Sequence, residues 1–556
     1  MLPKYQNMKR RSFLKSIQPN VATKALKVGT LKNGFSPYTG PWTKLETAHL
    51  LRRTMMSFDM DSLQKFTSAG LSSTIDTLFN PPAISDFPLN FDYEDDDEVP
   101  IGQTWINAKY DIGNGVRNYR YQSLKAWFTG RSISGEESIR HKLVLFWHNH
   151  FAISDIRDGR YLWKYIMLFH DNFDGNFKKL VEEITIDPSM LRFLNGNQNT
   201  KRAPNENYAR ELLELFTIGK GEQVGPGDYT NYTEEDVSAI AKVLTGWRDY
   251  NYRSTSNEGF GSRFVPNNHD VTDKTLSHRF DKVVIKNNDQ EEYKDLIDII
   301  FSKREVARFF CRKLYRWFVY YEITAETESE IIEPMSQLLI NNQFNIGPAL
   351  KALLKSEHFY DRKILGAMIK NPHDFMSSVA VPMKFSYNQA LAQKYTYLQS
   401  WARYQALLQM DSFELPSVAG WKAYYQTPSF YRGWINAVTL PARVQFSTAL
   451  LIRGNVTGGI NQRIDVVAFL KTLPNPSNVD SVITTLNELM FAKPFTASQI
   501  TSMKTTFNPG KTDAAWATEY QAMINAPNDE AARRNIENKF ALLLAYMTYM
   551  PEFQLI

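Results

Sequence analysis

TEEDVSAIAKVLTG, residues 233–246, decides the fold class. Thr233 is a natural N-cap, and Asp236 three residues on can return its hydrogen bond, close to a capping box. Val237, Ile240, Ala241 and Leu244 follow at i, i+3, i+4 and i+7, which sets apolar side chains on one face of an α-helix. Gly246 ends the pattern. Outward from this segment the helical period returns over 46–55, 61–69, 291–301, 304–320, 326–341, 346–356 and from 479 onward. Strand signals are sparse and no repeat period stands out. The expected fold is mainly α: one large helical domain with long loop-rich insertions and few or no strands. It would span 41–556, with a C-terminal helical subdomain at 475–556 as a candidate division. The stretches 250–288 and 415–443 read as loops.

The chain has 556 residues, 43% hydrophobic and 22% charged, enough to bury a large core. Its 64 basic and 59 acidic residues nearly balance, so charge makes no general case for nucleic acid or a membrane surface. No apolar run reaches the roughly eighteen residues of a membrane-spanning helix, so no transmembrane segment is expected. Cys311 is the single cysteine, which excludes an internal disulfide, and it is expected to be a buried, inert thiol. Residues 1–40 read as a flexible basic leader. Lys9-Arg10-Arg11-Ser12-Phe13-Leu14-Lys15 looks like a twin-arginine export box, although Gln18, Pro19, Asn20, Lys24 and Lys27 interrupt the apolar stretch such a signal needs. A periplasmic or envelope location is the expectation, with the cytoplasm as the alternative.

Two segments mix ionisable groups with core-forming residues: FWHNHF at 146–151 and NENYARE at 205–211. Such groups need partners when buried, so they mark a core network or an active site. His148 and His150 differ by about 200° around a helix, so they can share an ion only where the helix ends near Trp147 or the segment is extended. In the second segment Asn205 is the N-cap, Glu206 and Arg210 can pair at i, i+4, and Glu211 and Glu214 share the adjoining face. A surface helix with ion pairs competes there with Glu206, Arg210 and Glu211 as acid–base groups. His269 and Asp270, with Lys274 four residues on, sit in the 250–288 loop and could complete a site. The candidate set is therefore Glu206, Arg210, Glu211 and Lys274 for catalysis, and His148, His150, His269 and Asp270 for a divalent metal such as zinc, manganese or iron. Hydrogen-bonded core histidines are the alternative. A nuclease reading of His-Asn-His is rejected, because three adjacent residues do not build that motif. The acidic run at 92–98 reads as a solvated loop, and Arg304 to Arg316 as an amphipathic helix with a solvated basic face.

The chain resembles a bacterial family, the domain of unknown function 1800. The likeness is carried by HLLRR at 49–53, FWHNHFA at 146–152, PNENYARELLELFTIG at 204–219 and YTEEDVSAIAKVLTGW at 232–247. Residues 264–275, VARFFCRKLYRWFV at 306–319, SEHFY at 356–360, VAGWKAYYQTPSFYRGWIN at 418–436 and Pro551 to Gln554 extend it. One departure is Thr272-Asp273, where the family usually carries a glycine. The resemblance implies a mainly helical, often exported protein, commonly encoded beside a partner similar to sulfatases and alkaline phosphatases.

Three functional readings follow. The first is an envelope-directed, metal-assisted hydrolase acting on a glycan or other polymer. The second is a non-catalytic partner or scaffold of the sulfatase-like or phosphatase-like neighbour. The third is a glycan-binding module using Trp421, Tyr424, Tyr425, Tyr431 and Trp434.

Overall fold

A computed structural model describes residues 34–110, 114–387, 390–457 and 460–556. The twin-arginine-like box lies outside the described residues. The fold is mainly helical. The helices that position the site are α1 (Lys44–Thr54), α2 (Asn114–Ser132), α3 (Arg140–His150), α4 (Gly159–Asp171), α5 (Glu206–Glu211), α6 (Glu234–Val243), α7 (Glu292–Phe301), α8 (Arg304–Phe318), α9 (Leu391–Leu407) and α10 (Glu530–Tyr549). Among the described residues, the strands form four antiparallel two-stranded hairpins: β1–β2 at 223–229, β3–β4 at 247–264, β5–β6 at 274–285 and β7–β8 at 455–462.

The helix at 233 starts as its sequence dictates. Thr233 caps α6, and the reciprocal Thr233–Asp236 capping box is formed. Its α-helical turns stop at Val243, and Gly246, at φ +97°, makes the turn into β3. The 250–288 segment, expected as loop, carries β4, β5 and β6 between short turns.

α3 lies entirely in the interior: Leu143, Leu145 and Trp147 are fully buried on different sides of it. It packs on α4, while α2 packs on α9 and α5 on α6. Leu51 of α1, Trp147 of α3, Leu314 of α8 and Phe540 of α10 belong to one contiguous cluster of buried apolar side chains. Most of the aromatic content sits in this cluster, and Cys311 is buried with it, as expected, its thiol pushed up by burial. Among the described residues, no helix is long and apolar enough to cross a membrane.

The acidic run departs from its expected form. Asp96 is buried and takes a two-pronged hydrogen bond from Arg120, Nε at 2.9 Å and Nη2 at 2.7 Å, both side chains being fully shielded from solvent. A paired guanidinium–carboxylate fork tolerates that burial. The rest of the run, around Glu94, Asp95 and Asp97, is largely exposed.

Candidate functional site

α3 continues through His150. His148 and His150 therefore point to different sides, and the condition for a shared ion is not met. His148 is fully buried; its Nε2 accepts the Phe413 backbone N–H at 3.0 Å. A backbone N–H only donates, so the neutral ring carries its proton on Nδ1, which meets the Tyr165 hydroxyl at 2.9 Å. That hydroxyl in turn donates to the Phe151 carbonyl at 2.7 Å. Burial, with His373 nearby, pushes the ring down to about 3 and keeps it neutral. Every polar atom in this chain is spent on a core partner.

His269 closes a second network. Its Nδ1 lies 2.9 Å from the Thr245 carbonyl and its Nε2 3.0 Å from Glu292 of α7. Burial alone would lower this ring, but the Glu292 carboxylate and the Thr245 carbonyl outweigh it and raise its pKa. Lys274 completes the group: Nζ pairs with the other Glu292 oxygen at 2.6 Å and donates to the Asp270 carbonyl. Lys274 and Glu292 are fully shielded, 0% exposed. Asp270 turns its carboxylate on its own loop, accepting from the Thr272 N–H at 2.8 Å and the Thr272 hydroxyl at 2.6 Å. Thr272, the departure from the family pattern, thus closes an Asx-type turn. His269 and Lys274 belong to a structural clamp that holds the 264–275 segment to α7, and sequence reasoning missed its centre, Glu292.

NENYARE follows the surface-helix reading. Asn205 caps α5 by accepting the Asn207 N–H at 2.9 Å. Arg210 pairs with Glu206 at 3.2 Å and with Glu234 of α6 at 2.8 Å. Glu211 differs: it is half-buried, and burial together with the neighbouring Glu214 pushes it up to about 7. Among the described residues, no three His, Cys, Asp or Glu side chains come together as a set that could hold an ion. His148 and His150 lie in different networks, and His269 and Asp270 in a third, where the Asp270 carboxylate is turned onto Thr272.

A cavity of about 340 Å³ opens where the chain changes direction after α5. Residues 212–217 form a wider π-helical turn. Carbonyls at a helix end lack helical partners, and here two of them turn toward α3 and α8. Phe216 O accepts from His150 Nε2 at 3.0 Å, and Leu215 O accepts from Lys313 Nζ at 2.6 Å. His150 Nε2 thus holds the proton, and Nδ1 presents a lone pair 3.2 Å from Lys313 Nζ. Phe146 and Asn149 of α3, Glu214 and Lys220 beyond α5, and Phe309, Arg312, Arg316 and Trp317 of α8 line the rest.

The remaining wall is the aromatic segment, through Ala419, Tyr424, Tyr425, Thr427 and Phe430. Asn149 Oδ1 anchors it by accepting the Trp421 N–H at 2.9 Å. Gly420, at φ +92°, passes so close to Asn149 that any side chain there would collide with it. Of the five aromatic residues read as a sugar platform, Trp421 and Trp434 are buried in the core; Tyr424 stacks on Trp317 at 4.1 Å, and Tyr425 is exposed.

The basic residues of α8 divide in two, which corrects the reading of a uniformly solvated face. Arg304 and Arg308 pair with Glu333, and Arg312 is held by Glu305 and Glu328, each at 2.5 Å. Lys313 and Arg316 have no carboxylate within ion-pairing distance among the described residues, and both line the cavity. Burial, then the Arg316 charge, pushes Lys313 down to about 7. Arg316 spends Nε on the Tyr321 carbonyl at 3.2 Å. One signal in the sequence marks Lys313: it stands in the helical stripe of Val306, Phe310 and Trp317, where an apolar residue belongs.

Residues 49–555 match the model of a family described as protein of unknown function, DUF1800. The chain belongs to this family. No curated protein and no solved structure matches it. In this DUF1800 chain, four of the segments that carried the resemblance (146–152, 204–219, 306–319 and 418–436) supply walls of the one cavity.

Proposed function

We propose that the cavity binds an acidic glycan fragment, a saccharide bearing carboxylate or sulfate, and that Lys313, His150 and Glu214 exchange protons with it. The observation that carries this is the pair of unmatched cations, Lys313 and Arg316, in an aromatic-walled cavity beside three arginines that all have carboxylate partners. An unpaired buried or half-buried cation is costly, and an anionic ligand relieves that cost. The exposed Tyr425 and the half-buried Tyr424, stacked on Trp317, offer the flat apolar surface that sugar rings pack on. Lys313 sits near neutrality, where general acid–base groups work best. No step is routed through a metal, because His148, His269 and Asp270 spend their polar atoms on core and turn partners. Envelope location, suggested by Arg10-Arg11, belongs to the same proposal.

Calorimetric titration with uronate-bearing and sulfated oligosaccharides against neutral ones tests it. Acidic ligands should bind more weakly as salt rises, and Arg316→Ala should weaken them about tenfold, a loss typical of one charge-assisted contact. Equal affinity for neutral and acidic saccharides, or no binding of either, would overturn it. Elemental analysis bears on the metal reading: a stoichiometric metal lost in both His148→Ala and His269→Ala would restore it.

The non-catalytic partner reading draws support from the closed networks at His148 and His269, which are structural in form. Co-purification with the product of a neighbouring sulfatase-like gene would favour it.

A further inference from the structure

Among the described residues, Lys142 pairs with Asp374, Lys274 with Glu292 and Lys125 with Asp411. Buried Lys370 has no carboxylate in contact among them, but it donates to Ser378 Oγ at 3.2 Å, lies over the Phe553 ring at 3.9 Å and lines none of the cavity. Lys313 has a different set of neighbours. Its two hydrogen-bond partners are neutral: the Leu215 carbonyl and His150 Nδ1. Its amine also lies over the Phe309 ring at 4.9 Å, and the Arg316 guanidinium one turn on bears on it electrostatically. A half-buried amine beside a second cation, facing a cavity and with no carboxylate in contact, is held closer to its neutral, nucleophilic form. Both partners accept hydrogen bonds from the amine, and neither neutralises it as a carboxylate would.

We propose that Lys313 condenses reversibly with an anionic carbonyl compound, an aldehyde or ketone carrying a carboxylate that Arg316 holds, such as a sugar acid in its open-chain form. The inference rests on the reading of the cavity as an anion site and adds a covalent step to it. The Nζ lone pair attacks the carbonyl carbon; a C–N bond forms, and one N–H proton passes by way of the His150 Nδ1 lone pair to the oxygen, leaving a carbinolamine. The second N–H proton follows the same route as the hydroxyl leaves as water, and a C=N bond remains. Amine plus carbonyl gives imine plus water, with no change of oxidation state.

Reductive trapping on the full chain tests this without a variant. The protein is treated at pH 7 with glyoxylate, the anionic probe, or propionaldehyde, the neutral probe, each with cyanoborohydride, and every lysine is mapped by peptide mass spectrometry. Lys313 should label with glyoxylate at least about tenfold faster than the exposed lysines, whose amines are almost wholly protonated at that pH. Its labelling rate should rise through about pH 7, where Lys313 loses its proton. Arg316→Ala should abolish the preference for glyoxylate over propionaldehyde at Lys313. Labelling of Lys313 no faster than that of exposed lysines overturns the nucleophile; an unchanged preference in Arg316→Ala overturns the anion-holding role. Saccharide titration of the same samples separates the two proposals. Acidic-saccharide binding without Lys313 labelling removes the covalent step alone, and labelling without saccharide binding removes the glycan reading alone.

Discussion

Two polar clusters of this protein hold the same ingredients and use them differently. Around Glu292, a histidine and a lysine meet a carboxylate in a site sealed from water, and each charge has an opposite charge in contact. Around Lys313, a histidine and a lysine meet backbone carbonyls, and Lys313 and Arg316 meet no carboxylate at ion-pairing distance among the described residues. The first arrangement is complete without a ligand and fastens one segment to another. The second leaves two cations without a carboxylate, the charge that the proposed anionic ligand would supply. The presence of His, Lys and Glu is therefore weak evidence of function; what discriminates is whether their charges are matched within the protein.

Breaking the closed cluster should cost the most. Glu292→Gln leaves Lys274 buried without a carboxylate and removes the contact that raises the His269 ring, and should lower stability by about 3–5 kcal/mol in urea denaturation. A loss under about 1 kcal/mol would mean that Lys274 reaches water and the cluster is not closed. Saccharide binding by the folded variant should be unchanged.

The histidine chain comes next. His148→Phe fills the space but orphans the Phe413 N–H and strips the Tyr165 hydroxyl of the donor it accepts from, for an expected loss of about 1–3 kcal/mol. The wild-type ring stays neutral down to about 3, while an unfolded histidine takes up its proton near 6.5. Below pH 6.5 the unfolded state binds the extra proton, so wild-type stability should fall with pH and His148→Phe should fall less steeply.

The open cluster should respond with the opposite sign. Lys313→Met removes a cation without a carboxylate partner from an apolar stripe and should stabilise the protein at pH 6, by about 1 kcal/mol or more. Lys313 titrates near 7 in the folded chain and near 10.5 unfolded. Wild-type stability should therefore rise between those values, and the variant should lack that rise. A marked destabilisation would place Lys313 among the structural lysines and erase the contrast.

Glu211→Gln should have the smallest effect. A carboxyl raised to about 7 stabilises the folded state while protonated and loses that contribution as pH rises from 4.5 through 7. The substitution should flatten that slope by under about 1 kcal/mol, since the group is partly solvated.

Local rules were legible where they act over a few residues. The Thr233–Asp236 capping box, the Asn205 cap, the Glu206–Arg210 pair and the buried Cys311 all follow from spacing and composition, and all are present. FWHNHFA was singled out correctly as a polar cluster among core residues, but its two histidines serve different elements. The partners that define the site were not legible. Glu292 lies more than twenty positions from His269, and the Phe413 N–H that seats His148 is farther still. Lys313 carried a mark in the sequence, a lysine on an apolar stripe, yet the same mark fits a side chain that reaches past the core to solvent.

The sequence by itself determined the helical class, the helix starts at Glu206, Glu234, Arg304, Ile346 and Val479, and the family, because helical period, caps and i, i+4 pairs are interactions between near neighbours along the chain. Only the tertiary structure decided which charges are matched. It turned the Leu215 and Phe216 carbonyls onto Lys313 and His150, gave Arg312 two carboxylates, and left Lys313 and Arg316 facing a cavity. Charge compensation is a property of distance in space, and packing sets that distance between groups far apart in sequence.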